Sequence, residues 1–123
     1  MKKRTILLIG KYKKVESDIS RYKRNFFVLA IDNLLGIKSL KKHDLEKIEA
    51  IAFKGHTNFN FPIMKKFPSL KIISNFGVGY DTINVEDAKK LNILITFTPD
   101  ILNDDVADMA IALYLGVSRK LLD

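Results

Sequence analysis

A 123-residue chain in which short apolar runs alternate with longer polar or amphipathic stretches predicts an α/β fold. Three observations carry that reading. Apolar runs of strand length recur along the chain. They are apolar throughout instead of alternating, as strands covered on both faces should be. Helix signals fall between them, and strand–helix alternation demands parallel neighbours joined by helical crossovers. The rhythm predicts a flavodoxin-like five-stranded parallel sheet with helices on both faces, in strand order 2-1-3-4-5.

The strands are read in order as residues 5–9 "TILLI", 26–31 "FFVLAI", 50–53 "AIAF", 71–74 "KIIS" preceded by Leu70, and 93–95 "ILI". Helices are expected over residues 14–23, 40–48 and 62–67, the last closed by Pro68. Residues 84–91, "NVEDAKKL", form the clearest short helix: Asn84 can cap it, acids fill its first turn and lysines its last. Residues 103–122 form a long final helix, with Asn103 as its cap, Asp104 and Asp105 in its first turn, and Pro99 blocking an earlier start. Between Val106 and Val117 only Asp108 is charged, so this helix is apolar nearly all round and is expected to be covered on all sides. Either a partner covers it or more chain follows; the reading favours further chain.

Composition narrows the function classes. The chain is 47% hydrophobic and 28% charged, the profile of a soluble globular domain. It has no cysteine, which excludes disulfides, thiolate metal sites and a cysteine nucleophile, and agrees with a cytoplasmic protein. No apolar run reaches membrane-spanning length, and the apolar part of "MKKRTILLIGKYKK" is too short for a signal peptide. The net charge of +7 is uneven: residues 1–75 carry 17 basic and 6 acidic side chains, residues 76–123 carry 4 and 8. The lysines are scattered without interleaved aromatics, so a solvated surface is the reading and no nucleic-acid partner is expected. No metal-ligand cluster is evident.

The stretch with chemistry in it is "NFGVGYD", residues 75–81. It fails as a dinucleotide fingerprint, since Thr82 stands where a third glycine belongs and the loop follows the fourth strand, not the first. Glycine without a Cβ still lets backbone N–H groups approach a ligand, and successive N–H groups at the carboxyl end of a strand can bind a small anion. A tight strand-to-helix turn would explain the same two glycines.

Residues 70–121 as a whole resemble the D-isomer-specific 2-hydroxyacid dehydrogenase family, and within it the hydroxypyruvate and glyoxylate reductase branch. The matching elements keep their spacing: "LKIIS", "NFGVGYD", a short helix, "NILIT", then "TPDILNDDVAD" opening a long helix. The resemblance implies that residues 1–101 form the flavodoxin-like substrate-binding domain and residues 102–123 an interdomain and dimerisation helix leading into a Rossmann domain absent from these residues. That domain would bind NAD or NADP. The family's catalytic Arg, Glu and His have no counterpart here: His43 and His56 fall elsewhere, and Arg119 is not the substrate-clamping arginine. No catalytic residue is therefore assigned, and the chain alone is expected to have no hydride-transfer activity. Val78 and Gly79, with Gly77 beside them, match the loop whose N–H groups hold the substrate carboxylate of a 2-keto or 2-hydroxy acid. His56, after the third strand, would face the same cleft. Asp81 is expected to fix the loop by accepting nearby N–H groups. Asn103 and Val106 match positions near the nicotinamide, and a homodimer through the last helix is implied. The alternative is a carboxylate-binding or protein-interaction module without catalysis.

Overall fold

The computed structural model describes residues 3–12 and 16–121. Five parallel strands, β1 (Arg4–Ile9), β2 (Phe26–Ile31), β3 (Ile48–Phe53), β4 (Ile72–Asn75) and β5 (Leu94–Thr96), lie in the order β2-β1-β3-β4-β5. This is the predicted topology, with strand boundaries shifted by one or two residues. The helices are α1 (Glu16–Asn25), α2 (Lys42–Lys47), α3 (Phe61–Met64), α4 (Val85–Lys90) and α5 (Asn103–Ser118). The expected first helix began at residue 14; residues 14 and 15 lie outside the described ones. A 3-10 segment, Leu34–Ser39, was not anticipated. Asn33 caps it through a side-chain oxygen that accepts from the Leu35 N–H, and it buries Leu34 and Ile37.

Alternation along the strands sorts the core onto two faces. Leu7, Ile9, Ile51, Phe53 and Ile73 point to one face, where the 3-10 segment, α2, α3 and α4 cover them. Ile6, Leu8 and Ala52 point to the other, where Ile19 and Tyr22 of α1 pack. The second face is thinly covered toward β4 and β5, where Ser74 and Leu94 stay exposed.

Two local devices place the loops at the carboxyl ends of the strands. Gly10 has φ 133°, and a Cβ there would lie 2.3 Å from the Lys54 carbonyl oxygen, so only glycine lets β1 end this close to β3. Phe59 is fully buried, edge-on to Phe53 at 5.5 Å between ring centroids and stacked near Phe67 at 6.5 Å. Its N–H donates to the Thr82 carbonyl (2.7 Å) and its carbonyl accepts from Asn84 N–H (3.1 Å). The loop after β3 is thereby stitched to the loop after β4. Asn84 caps α4 as predicted, accepting from Asp87 N–H at 3.0 Å, and the Asp87 carboxylate accepts from Phe61 N–H at the start of α3.

Helix α5 departs from the reading of its sequence. Its apolar girth predicted cover on all sides, yet Val106, Met109, Ile111, Leu113, Tyr114, Leu115 and Val117 are all exposed, from 50% to 81%. The domain's own sheet offers it no seat, because α5 leaves the domain after the turn at Asp100 (φ 62°). Asn103 is not the cap. The helix begins one residue earlier, with Leu102 at the N-cap and no side-chain cap bond, and the Asn103 amide donates back to the Asp100 carboxylate at 2.9 Å. Among the described residues no helix is long and apolar enough to cross a membrane.

Candidate functional site

Strands β3 and β4 end side by side, with Phe53 and Asn75 as the last register partners. The Phe76 N–H continues the ladder by donating to the Phe53 carbonyl at 2.8 Å. Beyond that point the two chains part around a cavity of about 270 Å³. Its wall includes His56 from the loop after β3, and Gly77, Val78, Gly79, Asp81 and Thr82 from the loop after β4. The structure thus brings together the four residues assigned to substrate by the sequence. It does not bring Asn103 or Val106 to this wall; both sit exposed at the start of α5.

The loop is held by its carbonyls. Asn75, 6% exposed, donates from Nδ2 to the Gly79 carbonyl at 2.6 Å. Thr98, past the end of β5, donates both its N–H (3.0 Å) and its hydroxyl (2.9 Å) to the Gly77 carbonyl. Tyr80 and Phe97 meet edge to face at 4.8 Å and close the same seam. By contrast, among the described residues no acceptor takes the N–H of Gly77, Val78 or Gly79. Three successive amides are left free at a solvent-open cavity, a donor set suited to an anion. The Lys54 ammonium lies 4.8 Å from the centroid of the Phe76 ring, so a positive charge stands near the start of the loop.

Two details differ from the sequence reading. Asp81 lines the cavity but takes none of the loop N–H groups; Asn75 ties the loop from inside the strand instead. Neither Gly77 nor Gly79 has a positive φ. Their use is therefore space, not a left-handed turn. A Cβ on Gly77 would meet only ordinary contacts, the nearest at 3.5 Å, and one on Gly79 would meet Asp81 Oδ2 at 3.2 Å. Sequence reasoning missed Asn75 and Thr98. The signal for Asn75 was a polar residue at the last position of an apolar strand, where a buried amide must find a partner.

Asn75→Ala is expected to cost about 0.5–1.5 kcal/mol, because the exposed Gly79 carbonyl exchanges its side-chain donor for water. Amide exchange should speed up at Phe76 and Thr98, whose N–H groups donate to the Phe53 and Gly77 carbonyls, while the amides of β1 and β3 keep their protection relative to global unfolding. Uniform acceleration across the sheet would show that Asn75 supports the fold and not the loop.

With this geometry in view, comparisons with known proteins agree on one family. The sequence model of the D-isomer specific 2-hydroxyacid dehydrogenase catalytic domain matches residues 12–118. A glyoxylate reductase of Thermococcus onnurineus is 48% identical over 56 residues, 46% of this chain and 17% of that protein. A glyoxylate reductase of Pyrococcus horikoshii is 36% identical over 83 residues, 68% of this chain and 24% of that protein. Among solved structures, the NADPH-dependent glyoxylate/hydroxypyruvate reductase of Sinorhizobium meliloti, in complex with NADP and malonate, superposes with a TM-score of 0.75 at 35% identity. That match covers 94% of this chain and 34% of the other. The 2-hydroxyacid dehydrogenase of Ketogulonicigenium vulgare gives a TM-score of 0.78 at 30% identity, over 99% of this chain and 38% of the other. The chain therefore spans under a quarter of the length of these curated relatives. It belongs to the D-isomer specific 2-hydroxyacid dehydrogenase family, matching that family's catalytic domain.

Proposed function

We propose that this domain takes the carboxylate of a small 2-keto or 2-hydroxy acid on the N–H groups of Gly77, Val78 and Gly79, as the substrate-orienting part of an NAD(P)-dependent dehydrogenase. The observation that carries the reading is the asymmetry of the loop, with carbonyls bonded and amides free. A carboxylate offers two anionic oxygens to successive N–H groups, and such charge-assisted bonds are about twice as strong as neutral ones. Fixing the carboxylate fixes the direction of the adjoining carbonyl, which is how a binding loop contributes to rate without touching the reacting bond. His56, exposed in the loop after β3 and lining the same cavity, would donate to the ligand from its side chain. The names of the relatives, glyoxylate reductase above all, make glyoxylate or hydroxypyruvate the substrate of choice.

The described residues do not fit a dinucleotide. The glycine loop carries Thr82 in place of a third glycine, α4 opens only at Val85, and the cavity of about 270 Å³ lies below the usual range of ligand pockets, ~300–1,000 Å³. NAD or NADP would be held by other residues, with Asn103 and Val106 approaching its nicotinamide end from the start of α5. No step through the cofactor follows from the residues described.

Gly79→Val tests the loop. The added Cβ meets only the far end of the Asp81 side chain, so the fold absorbs it while the branched side chain crowds the neighbouring amides. Calorimetric affinity for glyoxylate should fall about tenfold or more, the scale of one charge-assisted hydrogen bond. The thermal midpoint should move by less than about 4 °C. A lowered midpoint with unchanged affinity would reduce the two glycines to turn formers.

A homodimer through α5 completes the proposal. The exposed side chains named above would each contribute about 1.5–3 kcal/mol if fully buried, more than a surface helix leaves unused without a partner. Met109→Glu with Leu113→Glu, four residues apart on one face, should weaken self-association measured by sedimentation by about tenfold or more. Unchanged sedimentation of the double variant would remove α5 as the interface.

A further inference from the structure

Strand β2 ends the sheet on one side, and among the described residues one flank of its backbone has no neighbouring strand. Its six residues, "FFVLAI", carry no charge and no proline, the devices by which sheet edges usually avoid pairing. The opposite edge, β5, has only three residues, which is itself such a device. Phe27 on β2 is 57% exposed and Ala30 is exposed.

The ladder settles which backbone groups face outward. Gly10 N–H donates to the Ile31 carbonyl at 2.9 Å, so Ile31 turns its polar groups toward β1. In a strand the N–H and C=O of one residue share a side and alternate along the chain. Phe27 and Leu29 therefore also face β1, and Phe26, Val28 and Ala30 present their N–H and C=O to the open edge.

We propose that β2 is a two-fold pairing edge, joining a second copy of this chain antiparallel to itself with Val28 on the axis. In that register Phe26 lies opposite the partner's Ala30, and Val28 opposite the partner's Val28. Every outward N–H and C=O of the strand then finds a partner, whereas a shift of two residues in either direction strands groups at one end. On the face lined by Leu29 and Ile31, the exposed Phe27 meets the partner's Leu29 as a closely spaced cross-strand pair. Charge selects the antiparallel sense. The groove at the amino end of β2, about 610 Å³, is walled by Lys3, Lys23 and Lys47 with Asp44 as its one acid, while Asp32 stands at the carboxyl end. Antiparallel pairing sets the partner's Asp32 end against the lysines; parallel pairing would set lysines against lysines. This contact is separate from α5 and from the glycine loop, so it does not depend on the carboxylate reading.

The chain has no cysteine of its own, so one introduced thiol reports on register. Val28→Cys places two thiols opposite each other with Cα atoms about 5.5 Å apart, within disulfide reach. Ala30→Cys leaves its two thiols roughly 13 Å apart, four residues along the strand. Under mild oxidation Val28→Cys should give a disulfide-linked dimer at least about tenfold faster than Ala30→Cys, a ratio set by reach. Adding Phe27→Lys, at an exposed position, to Val28→Cys should slow that linkage about tenfold by putting charge into the seam. Equal or absent linkage of the two single variants, as pairing through α5 alone would give, overturns the proposal. So does linkage of Val28→Cys that Phe27→Lys leaves unchanged.

Discussion

The parallel pairing of β3 with β4 is the constraint on which the rest of the structure depends. Its last rung, Phe53 beside Asn75, starts two loops from one point on the same edge of the sheet. Parallel strands deliver their carboxyl ends together, so ligand sites in open α/β sheets collect there. Here the loop from β3 brings His56 and the loop from β4 brings Gly77, Val78 and Gly79. Phe59 keeps them in register. Its ring is locked in the core against Phe53, while its backbone bonds the segment after β4 through Thr82 and Asn84. Core packing and site geometry are therefore the same set of contacts.

Within that frame the loop solves a problem of backbone polarity. The half-buried Gly77 carbonyl and the exposed Gly79 carbonyl are tied down by Thr98 and Asn75, each such bond contributing about 0.5–1.5 kcal/mol. The amides stay free at the cavity, the donor set on which the proposed carboxylate site rests. Side chains that look functional, such as Asp81, are not what holds the loop. An amide inside a strand and a hydroxyl from the neighbouring strand's exit do so, which couples the site to β5 and hence to the chain leaving toward α5.

The sheet was legible in the sequence because each strand is a closed apolar run, and two covered faces leave no other pattern. The α4 cap was legible because Asn84 and its acids lie within one turn of each other. What escaped was long-range. Thr98 reaches Gly77 across 21 residues, and no local pattern in "TFTP" announces it. The 3-10 segment Leu34–Ser39 escaped because its burial depends on the end of β2, not on helical periodicity. Asn103 looked like a cap because it precedes two acids; the positive φ of Asp100 starts the helix a residue sooner. For α5, apolar girth indicated a need for cover, and the domain itself supplies none.

The proposed anion site is the set of free backbone amides in the loop after β4. Its most direct test is an amide-resolved NMR titration of the chain with glyoxylate, using acetamide as a neutral control of similar size. The account predicts saturable downfield shifts of the Gly77, Val78 and Gly79 amide protons, with small changes at Asn75 and Thr98, and no response to acetamide. Shifts that cluster instead on the lysine-lined groove beside β2, or that acetamide reproduces, would contradict it.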